Sequence, residues 1–424
     1  MRVHSLCLTV IATTLVGCAS VQSDFDLSFS DAKGFHDDRL DRIDAAIESE
    51  IAAGKIAGAV AVIAKEGSIV YDKAFGYADT ASGKPMETTS IFRIASMSKA
   101  ITSVGVMILY ERGEFLLSDP VSEFLPAFAN PEVAVAFDDD GNVTETRPAS
   151  REIRIIDLLT HTAGITYPFI DSPLKQSYER AGVIDGLTAT PLTLAEGMQR
   201  LSEQPLLFDP GSEFSYGLNT DVLGYLIEVV SGMPLDEFFR TEIFELLGMT
   251  DTYFYLPDEK ADRLVTLYAE VEGRLRVSDG TEADIKLDNP RYPAEGAKTY
   301  FSGGAGLSST AYDYFRFVQM LANDGELYGR RVLSRKSVEL MQSPRLPLPW
   351  FAGSAMGLGF QVIDDLGAYG ELGTEGAYSW GGAFNTSYWI DPDENLVGVI
   401  MTQVRPYTSD ITPRFRSLVY QALE

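Results

Sequence analysis

The stretch from Ser98 to Tyr110 constrains this chain more than any other. It contains no proline, and its apolar residues fall almost all the way round a 3.6-residue period. A helix that is apolar on most of its faces has to lie inside the molecule, so the remaining elements must be arranged around it. Arg112 and Gly113 supply a cationic end and a C-cap glycine. Just upstream stands Ser96-Met97-Ser98-Lys99. Ser96 is expected in the first helical turn, where backbone N–H groups lack intrahelical acceptors and the helix field favours negative charge. Lys99, three residues on, shares its face. A serine hydroxyl is a weak nucleophile until a neighbouring base takes its proton, and a lysine in apolar surroundings can be that base. The S-x-x-K spacing also arises often by chance. On these two residues alone, a capping serine beside a solvated lysine is the commoner arrangement.

With 424 residues, 45% of them hydrophobic, the chain can bury a large core in one or two domains. Its formal net charge of −27 opposes nucleic acid as a partner and suits a soluble surface. The first residues read as a processing segment. Arg2 and His4 precede an apolar run from Leu6 to Val16, too short to span a membrane, and Leu15-Val16-Gly17-Cys18 follows. This resembles a bacterial lipoprotein signal in which Cys18 is lipidated and becomes the mature N-terminus. The resemblance implies attachment to the cell envelope through that lipid, at the periplasmic face of the outer membrane; an ordinary secretory signal with an incidental cysteine is the alternative. Residues 1–18 are thus expected to be signal, 19–37 a tether, and 38–424 the folded domain. Removal of Cys7 with the signal would leave no disulfide and no cysteine-based metal site.

Along the domain, a helix is expected from Asp38 to Ala53, then a hairpin of Ala59–Ala64 and Ile69–Tyr77 around Glu66-Gly67. A second hairpin flanks Asp138-Asp139-Asp140-Gly141. Residues 165–192, with Pro168, Pro173 and Pro191, read as loop-rich. Helices are expected at Thr193–Leu201, Thr220–Ser231, Leu235–Leu246, Ala311–Asn323, Ser334–Gln342 and Pro413–Leu423. Strands are expected at Thr386–Ile390 and Leu396–Gln403. Strands at both ends of the chain with helices between them predict one antiparallel sheet built from the two termini.

The chain has three histidines, His4, His36 and His161. An α/β-hydrolase triad needs its histidine after the nucleophile, so Ser379 in Ala377-Tyr378-Ser379-Trp380-Gly381 is a decoy. His-rich zinc chemistry is equally unsupported. Any base must therefore be lysine, tyrosine or carboxylate. Tyr216 is one candidate: Pro210-Gly211 and the helix start near Thr220 place it at a loop-to-helix corner. A phenol held near an ammonium is easier to deprotonate, although a single tyrosine is more often a packing residue.

The order Ser96-x-x-Lys99, Leu158-Leu159-Thr160-His161-Thr162-Ala163-Gly164, Phe214-Ser215-Tyr216 and Ser379-Trp380-Gly381-Gly382 resembles the serine β-lactamase/DD-peptidase superfamily. The likeness is to its class C-like branch and, within that, to the β-lactamase-fold carboxylesterases. It implies an α+β fold: an antiparallel sheet flanked by helices, with an inserted, mainly helical region. It also implies that Ser96 forms an acyl-enzyme, that Lys99 and Tyr216 share the proton transfers, and that His161 ties its turn together. By the same match the backbone N–H groups of Ser96 and Ala383 form the oxyanion hole, and Trp380, Gly381 and Gly382 border the substrate. Tyr388 and Trp389 are read on the same strand as Trp380, Tyr378 in the loop before it, and Tyr300–Leu307 as a glycine-rich border of the site.

Two departures bear on the substrate. The lactamases and DD-peptidases carry Lys-Thr-Gly where this chain has Trp380-Gly381-Gly382, so the cation that attracts a substrate carboxylate becomes a flat apolar wall. Their asparagine two residues after the tyrosine is here Leu218, with Asn219 one place late. Both changes favour a serine hydrolase of small carboxylic esters. A cell-wall D-amino-acid peptidase or weak β-lactamase is the first alternative, and a non-catalytic module binding envelope peptides the second. Neither a metal nor an organic cofactor is implied.

Overall fold

The computed structural model describes residues 27–30, 34–188, 190–282 and 290–424. The strand Gly58–Lys65 is apolar along nearly its whole length because both of its faces are covered. Val60, Val62 and Ala64 enter one core, while Ala59, Ala61 and Ile63 enter another. It is β1 of a nine-stranded antiparallel sheet. The remaining strands are β2 (Ser68–Asp79), β3 (Lys84–Pro85), β4 (Leu346–Pro347), β5 (Ser354–Met356), β6 (Gln361–Ile363), β7 (Tyr378–Gly382), β8 (Thr386–Asp391) and β9 (Leu396–Met401). Their spatial order is β4-β5-β6-β7-β8-β9-β1-β2-β3, so the two chain ends meet where β9 pairs with β1, Val60 opposite Met401. The sheet expected from the termini is present.

Helices α1 (Asp37–Ala52) and α5 (Ile411–Tyr420) close one face, through Ile43, Ile47, Phe415 and Val419. On the other face lies α2 (Ser98–Glu111), buried without interruption from Ser98 to Leu109. Helix α3 (Asn219–Ser231) packs on α2, and α4 (Ala311–Ala322) packs on β8 and β9. The region between α2 and β4 holds most of the remaining helices and the expected hairpin, Glu132–Phe137 with Val143–Pro148.

Several expectations need correction. The loop-rich stretch 165–192 also holds one short helix that the pattern did not single out, Lys175–Ala181; its sequence KQSYERA is mostly polar, and the burial of Tyr178 stabilises it rather than any apolar stripe. The helix expected over Leu235–Leu246 is interrupted by a π turn at Arg240–Phe244. Tyr388 and Trp389 lie on β8, with Tyr388 paired to Trp380 across to β7, and Tyr378 belongs to β7 itself. Part of the expected tether is docked: Ser28 and Ser30 exchange backbone hydrogen bonds with Ile69, and the His36 N–H donates to the Ala422 carbonyl. Cys18 and the signal lie outside the described residues. Among the described residues no helix is long and apolar enough to cross a membrane.

The cross-strand pair Trp389–Gly398 shows how tightly the sheet is covered. A Cβ at Gly398 would lie 2.1 Å from the Trp389 ring, so the indole rests directly on the β9 backbone. Gly398→Ala is therefore expected to cost about 1–3 kcal/mol by overpacking. Urea unfolding should show a lower midpoint at unchanged slope; an unchanged midpoint would mean that the indole moves freely aside.

Candidate active site

Ser96 sits on a 3-10 turn, Ala95–Met97, immediately before α2 rather than within its first turn. That turn is held under strain. Ala95, fully buried, has φ +42°, a left-handed conformation that residues with a Cβ rarely adopt. The chain enters through the strand Phe92–Arg93, whose buried Arg93 donates to the carbonyls of Tyr292, Val265 and Pro290.

The structure brings Ser96, Lys99 and Tyr216 together. The Tyr216 hydroxyl donates to Ser96 Oγ at 2.7 Å, and Lys99 Nζ donates to the same oxygen at 3.2 Å. Lys99 is 1% exposed, and its Nζ also donates to Tyr167 Oη at 2.9 Å and to the Gly304 carbonyl at 2.7 Å. The Nζ stands 4.7 Å from the centroid of the Tyr216 ring. The glycine-rich segment expected at the border of the site thus contributes a carbonyl to the lysine.

Two residues of this centre had no usable sequence signal. Tyr167 falls in the stretch read as loop. Burial first, and then Tyr216, Asp221 and other neighbours, hold its phenol well above the usual range, so it remains protonated. Asp221, on α3, is fully buried; its Oδ1 accepts from Ser302 Oγ at 2.5 Å. A Cβ at Gly304 would lie 2.5 Å from Asp221 Oδ2, so the carboxyl also shapes the turn that presents the Gly304 carbonyl. Burial pushes this carboxyl up to about 6, against the Ser302 hydrogen bond and the charge of Lys99.

His161 lies behind Tyr216, with ring centroids 5.0 Å apart, and its Nδ1 is 3.0 Å from Asn219 Nδ2. Burial, then Lys99, holds it well below the usual histidine range. It is therefore neutral, its Nδ1 accepts from the Asn219 amide, and its carbonyl accepts from the Ser215 N–H, tying the turn before Tyr216. Asn219 is thereby committed to the interior, and Leu218 is fully buried in the core.

Trp380, Gly381 and Gly382 form the end of β7. The Trp380 ring is 5.8 Å from that of Tyr216. Gly382 lies against the residues leading into the Ser96 turn: a Cβ there would come 2.4 Å from the Ile94 carbonyl oxygen. Ser96, Tyr216, Trp380, Gly381, Gly382 and Ala383 line one cleft of about 800 Å³, together with Phe169 and Trp350. Trp350 is 57% exposed, and its ring meets the Phe214 and Tyr216 rings edge-on. It comes from the β4–β5 connection, distant in sequence from every motif. Ser379 Oγ accepts from Arg416 at 3.1 Å, and Ser379 lines the same cleft. Among the described residues no group of three or more His, Cys, Asp or Glu could hold a metal ion.

The β-lactamase family model matches residues 43–421. The chain belongs to the β-lactamase family. Esterase EstB of Burkholderia gladioli is 31% identical over 399 residues, covering 89% of this chain and 94% of the esterase. The lovastatin esterase of Penicillium rubens is 30% identical over 400 residues, 87% of this chain and 94% of its own. Among solved structures, EstCE1, described as a hydrolase with promiscuous acyltransferase activity, superposes with a TM-score of 0.78 at 30% identity, over 91% of this chain and 98% of its own. These likenesses make the protein a serine hydrolase of this family.

The Asp221 carboxyl gives the site a pH signature. Above about pH 6 it is ionised beside Lys99, and as the pH falls through that value it takes up a proton and the negative charge is lost. The rate on a small ester, as kcat/KM, is therefore expected to fall along an acid limb near pH 6. Asp221→Asn should erase that limb and lower kcat/KM at pH 8 about tenfold. A variant that keeps both the rate and the limb would exclude this role.

Proposed function

We propose that this protein hydrolyses small carboxylic esters through an acyl-enzyme on Ser96. The observation that carries this reading is the shared hydrogen bonding of Ser96 Oγ with Tyr216 and Lys99 at the foot of a cleft walled by Trp380. Ser96 Oγ attacks the ester carbonyl carbon while its proton passes to the Tyr216–Lys99 pair. The backbone N–H groups of Ser96 and Ala383 receive the developing oxyanion. Collapse breaks the ester C–O bond, and the pair returns the proton to the departing alcohol. Water, deprotonated by the same pair, then attacks the acyl group and releases the acid and free Ser96.

An acceptor alcohol in place of water would give acyl transfer. This second reading is favoured by the aromatic enclosure of Ser96 by Tyr216, Trp350 and Trp380, and by the description of EstCE1. Hydrolysis of β-lactams is disfavoured because Trp380 stands where the family's lactamases carry a lysine.

The deciding comparison uses the domain from residue 25, as wild type and Ser96→Ala, with p-nitrophenyl butyrate and a chromogenic cephalosporin. Fast ester turnover with little cephalosporin turnover is expected, with a loss of at least about 10³-fold in Ser96→Ala. Tyr216→Phe should lose about 10²–10⁴-fold. Efficient cephalosporin turnover would favour the lactamase alternative, and an inert protein that no serine-directed probe labels would favour the binding module. For the full-length chain we propose lipidation at Cys18 and residence in the cell envelope. Expression in a Gram-negative host with labelled palmitate should label the wild type and leave Cys18→Ala unlabelled; equal labelling would refute the anchor.

A further inference from the structure

A second cavity, of about 790 Å³, opens in the region between α2 and β4 and shares no residue with the cleft at Ser96. Its size is that of a small-molecule site. Phe244, Met249 and Phe254 form a buried floor, and Tyr255 and Phe301 are half-buried on its wall. The Phe301 ring is 5.4 Å from that of Phe254 and 6.0 Å from that of Tyr255, so the wall is continuously aromatic. The π turn at Arg240–Phe244 places both of its end residues at this cavity, and π turns recur at functional sites.

Charge specifies the ligand. The chain carries a net −27, yet three cations line this cavity, Arg240, Lys260 and Lys298, against two carboxylates, Asp236 and Glu245. Arg240 is bonded to Glu245, and Lys260 donates to Asp251 at 2.7 Å. Lys298 is held loosely. Its Nζ donates to the Leu256 carbonyl at 3.4 Å, and its acidic neighbour, Asp258, is 4.0 Å away and fully exposed. An ion pair of that geometry in solvent contributes little. An ammonium has three donors, so Lys298 can meet an incoming carboxylate while the aromatic wall covers an apolar body.

The inner wall of the cavity is also the back of the turn that serves Lys99. Phe301 directly precedes Ser302-Gly303-Gly304, and the Gly304 carbonyl accepts from Lys99 Nζ at 2.7 Å. A Cβ at Gly306 would lie 2.9 Å from the Phe254 ring, so that ring packs on the same turn without a gap. We propose that this cavity is a second ligand site, for an organic acid whose carboxylate meets Lys298 and whose apolar body lies on Tyr255 and Phe301. Occupancy bears on the turn that holds Lys99 and so modulates turnover at Ser96. This coupling rests on the ester-hydrolase reading; the site itself does not.

Calorimetry on the wild type with 6-phenylhexanoate and with 6-phenylhexan-1-ol tests the site. The acid should bind at least about fivefold more tightly than the alcohol. Lys298→Gln should abolish that preference and Lys298→Arg should keep it. Thr250→Trp, which sets an indole on the cavity wall, should weaken both ligands at least about tenfold. Equal affinities for acid and alcohol, or binding that survives both Lys298→Gln and Thr250→Trp, overturns the site. Coupling is read on p-nitrophenyl butyrate: saturating acid should change kcat/KM at least about twofold in the wild type and leave Thr250→Trp unaffected. A rate that ignores the acid, or a change that persists in Thr250→Trp, overturns the coupling. Lys298 and Thr250 lie outside the Ser96 cleft, so without acid both variants should turn over as the wild type does. If the wild type cleaves no ester, the calorimetry still decides the site. Near-ultraviolet circular dichroism of each variant confirms that it is folded.

Discussion

Burying the nitrogen of Lys99 is the constraint on which the rest of this structure depends. A lysine at the start of an almost wholly apolar helix cannot reach water, so its donors must be met by protein oxygens. They are met from three separate parts of the chain: Ser96 one turn earlier, Tyr167 from the inserted region, and Gly304 from the glycine-rich turn. Each acceptor is itself held. Thr102 donates to the carbonyl of Gly303, Ser302 bonds Asp221, and Tyr167 stacks on Phe169. Losing one of the three acceptors would leave a buried lysine donor unpaired, at a cost of about 1–3 kcal/mol. The same arrangement that satisfies the lysine therefore fixes Ser96.

The sheet contributes a second constraint. β7 approaches the Ala95–Met97 turn so closely that Gly382 admits no side chain. This brings Ala383 to the cleft that Ser96 lines and sets Trp380 beside Tyr216. Substrate preference then follows from what lines a rigid gap. The Trp380 indole forms one side of it, and Trp350 and Phe169 extend the apolar wall.

Much of this was legible beforehand. The helix containing Lys99 announced itself by an apolar run without proline. The sheet of the two termini followed from strands at either end. Tyr216 stood out only through the four ordered motifs of the family resemblance, because a lone tyrosine after a proline-glycine turn is more often a packing residue. Tyr167 and Asp221 were not legible. Each is a common residue type in a stretch with no diagnostic spacing, and each matters only through folding, which sets Tyr167 against Lys99 and Asp221 against the Gly304 turn that Lys99 bonds. Trp350 was hidden for the same reason: it reaches the Tyr216 ring across 134 residues of sequence. The polar helix Lys175–Ala181 escaped notice because a single buried ring, Tyr178, stabilises it rather than a periodic face.

The sequence by itself determined which segments must be buried, which residues could carry nucleophilic chemistry, and that histidine and cysteine chemistry had no candidates in the folded body. These are local matters, set by side-chain type and by the periods of helix and strand. Only the tertiary structure decided which hydroxyls meet the lysine, that Asn219 turns inward to His161, and that Trp350 reaches Tyr216. Those contacts join residues tens to hundreds of positions apart. Their energies depend on burial and on distances of about 3 Å, and neither quantity exists until the chain has closed on itself.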